Sequence, residues 1–411
     1  MKILFFTLYF PPERGAAQSR TFELTSRLVQ LGHEVSVLTT FPNYPNGRIQ
    51  PEWRGHLFWK GVERGIRVFR VWCYTTPNTG FVKRVLSQLS FAVSACFAAV
   101  ILPKVDLIVV ESHPLFNCAA GLFLSRVKRV PYLLNVSDLW REGAVQIGML
   151  KNRQLIRVCK ALEVLFYRQA AAVLAMTKYI KDKIIEEGID GSKIRLFRNC
   201  VDCESFRPGI DGGQLRSEIG IFDDEFMVLY GGTFGLLNNI STILEAAAIF
   251  QEQNNRRVRF VLAGEGAYRD KLIASAAARK LMNVKFVGPY EKEQMPNLLN
   301  AADCVVVSLA DRPVFHGTLP RKLFEAMACG TPIVLAATGE SQDLVGTAGA
   351  GICVRPEDPE AIHDAIVKLT LQPQEAAAMG VNGCNYARAH FSRDLRVREL
   401  TQLAVSVIKR S

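Results

Sequence analysis

KILFFTLYF (residues 2–10), SRTFELTSRLVQLGH (19–33) and EVSVLTTF (34–41) set the fold class. The first is an unbroken apolar run that stops at Pro11-Pro12, the pattern of a strand covered on both faces. The second has helical spacing, and the third reads as another strand. Strand, helix, strand is a βαβ unit.

The pattern continues outward. DLIVVES (106–112), LFNCAAGLFLSRVKR (115–129) and PYLLNVSD (131–138) repeat it, as do AAVLAMT (171–177) and KYIKDKIIEEG (178–188). The first half is therefore expected to be a doubly wound sheet. A second series runs from FMVLYGG (226–232) through ISTILEAAAIFQEQ (240–253), RFVLAGEG (259–266), YRDKLIASAAARK (268–280) and VKFVGPY (284–290). It goes on through EQMPNLLNAA (293–302) and CVVVSLA (304–310) to PIVLA (332–336). The polar NCVDCESFRPGIDGG (199–213) separates the two. The expected domains are 1–203, 204–388 and a C-terminal helix over 389–411 packing back on the first. Ligands of such sheets bind beyond the carboxyl ends of the strands, and two facing sheets place the site in the cleft between domains.

At 411 residues with 49% hydrophobic content, the chain is long enough for two cores and too apolar to be disordered. A net charge of +11 favours anionic partners. No basic block or aromatic-interleaved basic motif is present, which argues against nucleic acid. Ten scattered cysteines and no signal-peptide pattern point to a reduced, cytoplasmic setting. Cys200 and Cys203 form a CxxC with no second pair of ligands, too few for a zinc site. VLSQLSFAVSACFAAVIL (85–102) carries no charge and is bracketed by Lys83, Arg84 and Lys104. It reads either as the buried crossover helix before residue 106 or as a membrane contact.

FHGTLPRKLFEAMACGTPIVLA (315–336) is the richest stretch chemically. Lys322 and Glu325 stand one turn apart, among Leu323, Phe324 and Met327. A surface pair needs no such burial, and an idle buried pair is costly. Thr318 is expected to cap the helix, with Pro320 in its first turn and free amides at its mouth.

In this order, the motifs resemble family 4 glycosyltransferases of the GT-B fold. The subgroup builds bacterial O-antigen, capsule and exopolysaccharide, and includes the L-fucosamine transferase type. YFPPERGAAQSR (9–20) resembles the family's glycine loop and LGHEVSVLTTFPNYPNG (31–47) the segment after it. VSDLWRE (136–142) resembles an Asp-Leu-Trp-Pro-Glu stretch, with Arg141 where proline is usual. NCVDCESFRPG resembles the family's linker, with Cys200 in place of glycine, and FEAMACGTPIV (324–334) the second half of its Glu, seven residues, Glu signature. The resemblance implies an α/β GT-B protein with two Rossmann-like domains facing across a cleft. It implies retaining transfer from a nucleotide diphosphate sugar, with no cofactor or essential metal, and a lipid-linked saccharide acceptor at an anionic membrane contacted peripherally. Glu325 then meets the ribose, Tyr290 lies where the backbone holds the base, and Lys322 with the helix mouth faces the diphosphate.

The sequence departs from the family at the first Glu, which falls on Gly317, and at the phosphate-loop Arg and Lys, which fall on Thr233 and Asn238 of GGTFGLLNN (231–239). The family's sugar-facing histidine falls near Ser137. These read as substitutions, with Lys322 supplying the cation and Asp138 a polar partner for the sugar. Donor contacts are further expected from Gly15, Gly232, His316, Gly317, Thr318, Leu319, Pro320 and Arg321, with the amides of Thr318 and Leu319 and the His316 imidazole holding the sugar. Arg14, Glu111 and His113 are the acceptor-side candidates. A dinucleotide-binding oxidoreductase would need G-x-G-x-x-G after the first strand, which PPERGAAQS (11–19) lacks. A non-catalytic, nucleotide-sugar-binding scaffold is the other alternative.

Overall fold

The computed structural model describes residues 1–13, 15–43, 47–76, 81–146 and 148–410. The chain divides into two units, Met1–Arg198 together with Arg393–Ser411, and Asn199–Ser392. The boundaries fall at residues 198 and 392 rather than 203 and 388. Asn199 to Cys203 belong with the second unit, where Val201 bridges to Ser392 and joins its core.

Unit 1 runs β1 (Lys2–Phe6), α1 (Ala16–Gln30), β2 (Glu34–Thr40), β3 (Phe58–Glu63), β4 (Ile66–Val71), α2 (Phe81–Ala98) and β5 (Leu107–Glu111). It continues through α3 (Leu115–Lys128), β6 (Tyr132–Val136), α4 (Trp140–Gln146), α5 (Arg153–Gln169), β7 (Ala172–Ala175), α6 (Lys178–Glu186) and β8 (Ile194–Leu196). The sheet order is β3-β4-β2-β1-β5-β6-β7-β8. β1 lies between β2 and β5, both parallel to it, with Ile3 beside Val35 and Leu107. β5 and β6 are buried along their whole length, which explains their continuous apolar reading.

Unit 2 comprises α7 (Gly213–Ile219), β9 (Phe226–Gly231), α8 (Ile240–Glu252), β10 (Val258–Ala263), α9 (Arg269–Ala278), β11 (Val284–Val287) and α10 (Met295–Ala301). Then come β12 (Cys304–Ser308), α11 (Arg321–Cys329), β13 (Ile333–Ala336), α12 (Glu340–Ala348), β14 (Gly351–Val354), α13 (Pro359–Leu371) and α14 (Pro373–Phe391). Its sheet has the order β11-β10-β9-β12-β13-β14, and its paired strands are parallel. Side chains alternate across it. Met227 and Leu229 enter the core shared with Leu323 and Phe324, while Val228 and Tyr230 enter the one shared with Ile243 and Leu244.

A last helix, α15 (Arg393–Ile408), returns to unit 1 and packs on α1. Arg27 grips Asp394 through Nε at 2.7 Å and Nη2 at 2.9 Å.

Two features differ from the sequence reading. First, β3 and β4 form an antiparallel hairpin at the sheet edge, through the two-residue turn Arg64-Gly65 with both φ values positive. Its buried anchor is Arg70, whose side chain is 0% exposed and pairs with Glu63 at 2.8 Å. Arg70 also donates to the carbonyls of Thr40 and Pro11 and stacks over Trp53. It thus ties the hairpin to β2 and to the loop after β1. Second, the uncharged segment forms the crossover helix α2, but only part of it is buried. Val82, Leu86, Leu89, Val93 and Phe97 are exposed. No described helix is long and apolar enough to cross a membrane.

Replacing Arg70 by Met should leave Glu63 and two carbonyls unpaired. The cost should be roughly 3 kcal/mol, the low end for breaking a buried pair, because Glu63 keeps some solvent contact. Urea unfolding followed by tryptophan fluorescence measures it. An unchanged midpoint would remove Arg70 from the anchors of unit 1.

Candidate active site

In unit 2 the loops leaving the carboxyl ends of β9, β12 and β13 meet at the start of α11, and the β10 loop braces the first of them. Gly232 follows β9 with φ 142°, a conformation that side-chain-bearing residues rarely adopt. A Cβ there would stand 3.2 Å from Lys322 Nζ, so glycine leaves room for the ammonium. The β10 loop locks this turn. Gly232 N–H donates to the Ala263 carbonyl at 2.9 Å, Phe234 N–H to that of Glu265 at 2.8 Å, and Tyr268 N–H to that of Phe234 at 3.0 Å. Gly264, with φ 151°, lies so close to the Gly232 carbonyl that any Cβ would collide with it.

Lys322 reaches over this turn from α11. Its Nζ lies 4.0 Å from the centroid of the Tyr230 ring and 3.4 Å from Asn238 Oδ1. Tyr230 is fully buried and donates its hydroxyl proton to the Thr233 carbonyl at 2.9 Å, which fixes the ring. The lysine keeps some solvent exposure along its length, but protein surrounds the ammonium. That burial pulls its pKa from 10.5 to about 7, against a weaker opposing pull from the Glu325 carboxylate.

Glu325 lies one turn further on but is held by Arg321, not by Lys322. Arg321 Nε donates to Glu325 Oε1 at 2.8 Å, and the two side chains are only 16% and 15% exposed. The i,i+4 spacing of this pair is visible in the sequence, but the reading set Glu325 against Lys322 instead. The first five residues of α11 therefore carry two cations and one carboxylate.

The turn before α11 differs from expectation. Thr318 does not cap the helix: Pro320 is the N-cap, without a side-chain hydrogen bond. The Thr318 N–H is not free either, because it donates to the Phe315 carbonyl at 2.9 Å, and its carbonyl accepts from Ser341. Gly317 and Leu319 are buried. The His316 carbonyl accepts from Glu340 N–H at 2.7 Å, while its exposed imidazole stands 3.9 Å from Asp311. Tyr290, beyond β11, is half-buried, and burial followed by Glu218 raises its phenol pKa.

Unit 1 also gathers its candidates beyond strand ends. Gly15 is the N-cap of α1, with an extended backbone that any residue could adopt. Arg14 lies outside the described residues. His113 follows β5 as an exposed residue whose ring is partly desolvated by its neighbours. That environment lowers its pKa, Asp138 and Glu111 opposing and Arg84 assisting. Glu111 drops out as an open acceptor-side group. It is buried, with Oε2 3.3 Å from Arg20 and Oε1 accepting from Asn135 Nδ2 at 2.7 Å.

Asp138 follows β6, exposed, and helps line a small cavity with Ser112, Cys118, Trp140, Glu163 and Tyr167. Below it, Arg141 donates to Glu163 at 2.8 Å and to Glu187 at 2.9 Å. The residue that stands where proline is usual thus bridges two carboxylates of α5 and the turn after α6. Among the described residues, no group of three or more His, Cys, Asp or Glu is arranged to hold a metal. The ten cysteines are free thiols.

Two family models match this chain. One, for glycosyl transferases group 1, covers residues 213–385, and one for a glycosyl transferase 4-like domain covers residues 15–200. The chain is a glycosyltransferase. Together the two models span both units and leave only the termini and the linker unmatched. The glycosyltransferase is 27% identical over 388 residues to WcaI of Escherichia coli K12, whose name assigns it to colanic acid biosynthesis, covering 91% of this chain and 93% of that one. Its fold is that of sucrose-phosphate synthase from Thermosynechococcus elongatus, with TM-score 0.79, 21% identity and full coverage of both chains. It is also that of Anabaena HepE in complex with UDP-glucose, with TM-score 0.73 and 19% identity over 99% of this chain and 100% of that one. These folds place the glycosyltransferase in the two-domain α/β GT-B class.

The folded pKa of Lys322, about 7, lies below its unfolded value of 10.5. Between these values the unfolded chain binds the extra proton, so this residue makes stability rise with pH across that window. Lys322→Met should therefore raise the melting temperature more at pH 7 than at pH 10. An equal shift at both would mean that the ammonium is not desolvated.

Proposed function

We propose that the enzyme transfers a hexosyl or N-acetylhexosaminyl group, with retention, from a UDP-linked donor to a lipid-linked or growing saccharide in bacterial surface polysaccharide synthesis. The observation that carries this reading is the desolvated Lys322 ammonium above the glycine turn, beside the Arg321–Glu325 pair. A leaving diphosphate develops charge as the glycosidic bond breaks, and a cation already stripped of water stabilises it without reorganising. Such a lysine also binds a dianion in step with proton uptake near neutral pH. Arg321 fixes Glu325 as an acceptor for two vicinal ribose hydroxyls.

The HepE structure with UDP-glucose supports the donor class, and the name of WcaI, which assigns it to colanic acid biosynthesis, supports a polysaccharide product. The L-fucosamine transferase type is expected from the sequence motifs alone and no comparison supports it, so amino sugars enter the screen beside neutral hexoses. Gly232 and the start of α11 take the diphosphate, Tyr290 the base, and His316 with Gly317 the sugar. Asp138, His113 and the Gly15 end of α1 serve the acceptor side. No cofactor has a part in this reading. A lipid-linked acceptor brings the enzyme to the cytoplasmic face of the membrane.

A thermal-shift screen of UDP- and GDP-sugars, followed by turnover of those that bind, tests the proposal. Glu325→Gln should weaken UDP binding by roughly 1.5–3 kcal/mol, on the order of 10- to 100-fold, because a hydrogen bond to a charged acceptor is lost. Calorimetric titration with UDP measures it, and unchanged affinity removes the ribose role.

Lys322→Ala should depress turnover more than donor affinity, because its charge acts chiefly in the transition state. Lys322→Arg should not restore it fully, since the planar guanidinium places its charge differently. Wild-type turnover in Lys322→Ala would overturn the assignment. UDP-sugar binding without transfer or slow donor hydrolysis would favour the scaffold reading, which the Thr233, Asn238 and Gly317 departures keep open.

A further inference from the structure

A soluble helix normally turns its apolar side inward and its charges outward. α2 does not. After Lys83, every exposed residue of this helix is a large apolar one: Leu86, Leu89, Val93 and Phe97. Together with Val82 they fall within an arc of about 80° at 100° per residue, so they form one stripe. Phe97 is 76% exposed, and Val100, in the turn that follows, is 89% exposed.

The stripe has neighbours. α3 packs against α2 on one side and α5 on the other. It exposes Phe123 and Val127, one turn apart. α5 exposes Leu155, Val158, Leu162 and Leu165, again at the spacing of one face. The whole of unit 2 exposes only six large apolar side chains among its described residues, fewer than α2 and its following turn. Exposed apolar side chains gathered on three successive neighbouring helices mark a docking surface rather than ordinary scatter.

The charge on these helices is equally one-sided. Residues 83–104, 115–129 and 151–168 contain eleven lysines and arginines and a single acid, Glu163. Glu163 is buried and held by Arg141. Lys83, Lys104, Arg126, Arg129, Arg153 and Arg157 are exposed. This excludes a symmetric dimer as the natural occupant, because two such faces would bring like charges together. Exposed apolar side chains and a one-signed excess of exposed cations on the same three helices match one surface well: a leaflet whose headgroups are anionic and whose interior is hydrocarbon.

We propose that the α2–α3–α5 face of unit 1 is a membrane-docking surface that inserts the α2 stripe into an anionic leaflet while the cations of α3 and α5 contact the phosphates. This deepens the reading of a lipid-linked acceptor and rests on it: the surface belongs to unit 1, which also carries the acceptor-side candidates Asp138 and His113.

Co-sedimentation with vesicles of phosphatidylethanolamine and phosphatidylglycerol at 3:1 tests it, with phosphatidylcholine vesicles as control. The wild type should bind the anionic vesicles, and 0.5 M salt should reduce the bound fraction. The variant Val93→Asp/Phe97→Asp and, separately, Arg153→Glu/Arg157→Glu should each lower binding at least tenfold. These positions are exposed, and circular dichroism and unchanged UDP binding verify folding. Donor hydrolysis in solution, which needs no membrane, should be the same in both variants as in the wild type. Binding equal to the wild type in both variants overturns the surface, as does a wild-type dimer in light scattering that the Val93→Asp/Phe97→Asp variant dissolves. A wild type that binds vesicles but neither binds nor hydrolyses any nucleotide sugar retains the surface and overturns the transferase reading instead.

Discussion

A lysine ammonium held out of water without a carboxylate clamped on it is the constraint around which unit 2 is arranged. Placing such a charge in the protein is costly. The cost is moderated by the Tyr230 face, the weak contact with Asn238 and the more distant Glu325, and the residual shows as a pKa near 7. Each neighbouring choice follows. Gly232 has no side chain because Lys322 occupies that space, and Gly264 has none because the locked loop leaves no room beside the Gly232 carbonyl. Arg321 takes Glu325, which prevents a direct Lys322–Glu325 pair from neutralising the site. The result is a net positive helix start at the carboxyl edge of a parallel sheet, where this fold class places its ligands.

The same accounting separates the polar groups of unit 1 into those committed within it and those left open. Glu111 with Arg20 and Asn135, Arg70 with Glu63, and Arg141 with Glu163 and Glu187 are internal ties. Asp138 and His113 are exposed residues. A buried ion pair stabilises less than its geometry suggests, but losing one partner leaves a charge in low dielectric, so each tie holds its elements in register. Arg141 shows how a departure from a family pattern is explained by its contacts and needs no functional role.

Lys322 shows the opposite case. On the sequence resemblance, Asn238 is expected where the family has a phosphate-loop lysine, and in the linear sequence this reads as a missing cation. In three dimensions the ammonium of Lys322 lies 3.4 Å from Asn238 Oδ1, so a residue 84 positions later brings positive charge to the same loop. Side-chain reach, not chain position, decides where a charge acts.

The βαβ repetition, the two-unit division and the glycine-rich turns were legible in the sequence because they follow from local rules: apolar run length, period and backbone freedom. Lys322 and Glu325 were legible as a polar pair within an apolar run. The sequence could not tell that Glu325 pairs with Arg321, that Thr318 gives its amide to Phe315, or that Glu111 is engaged by Arg20. Each depends on which donor arrives from another turn or element. Nor could it orient α2. An uncharged stretch is equally consistent with a buried helix and an exposed one, and only packing on the sheet settled which of its residues face water. The local code determined the elements and their order. The tertiary structure decided which charges are neutralised and which apolar faces are left uncovered, because both depend on contacts between residues far apart in the chain.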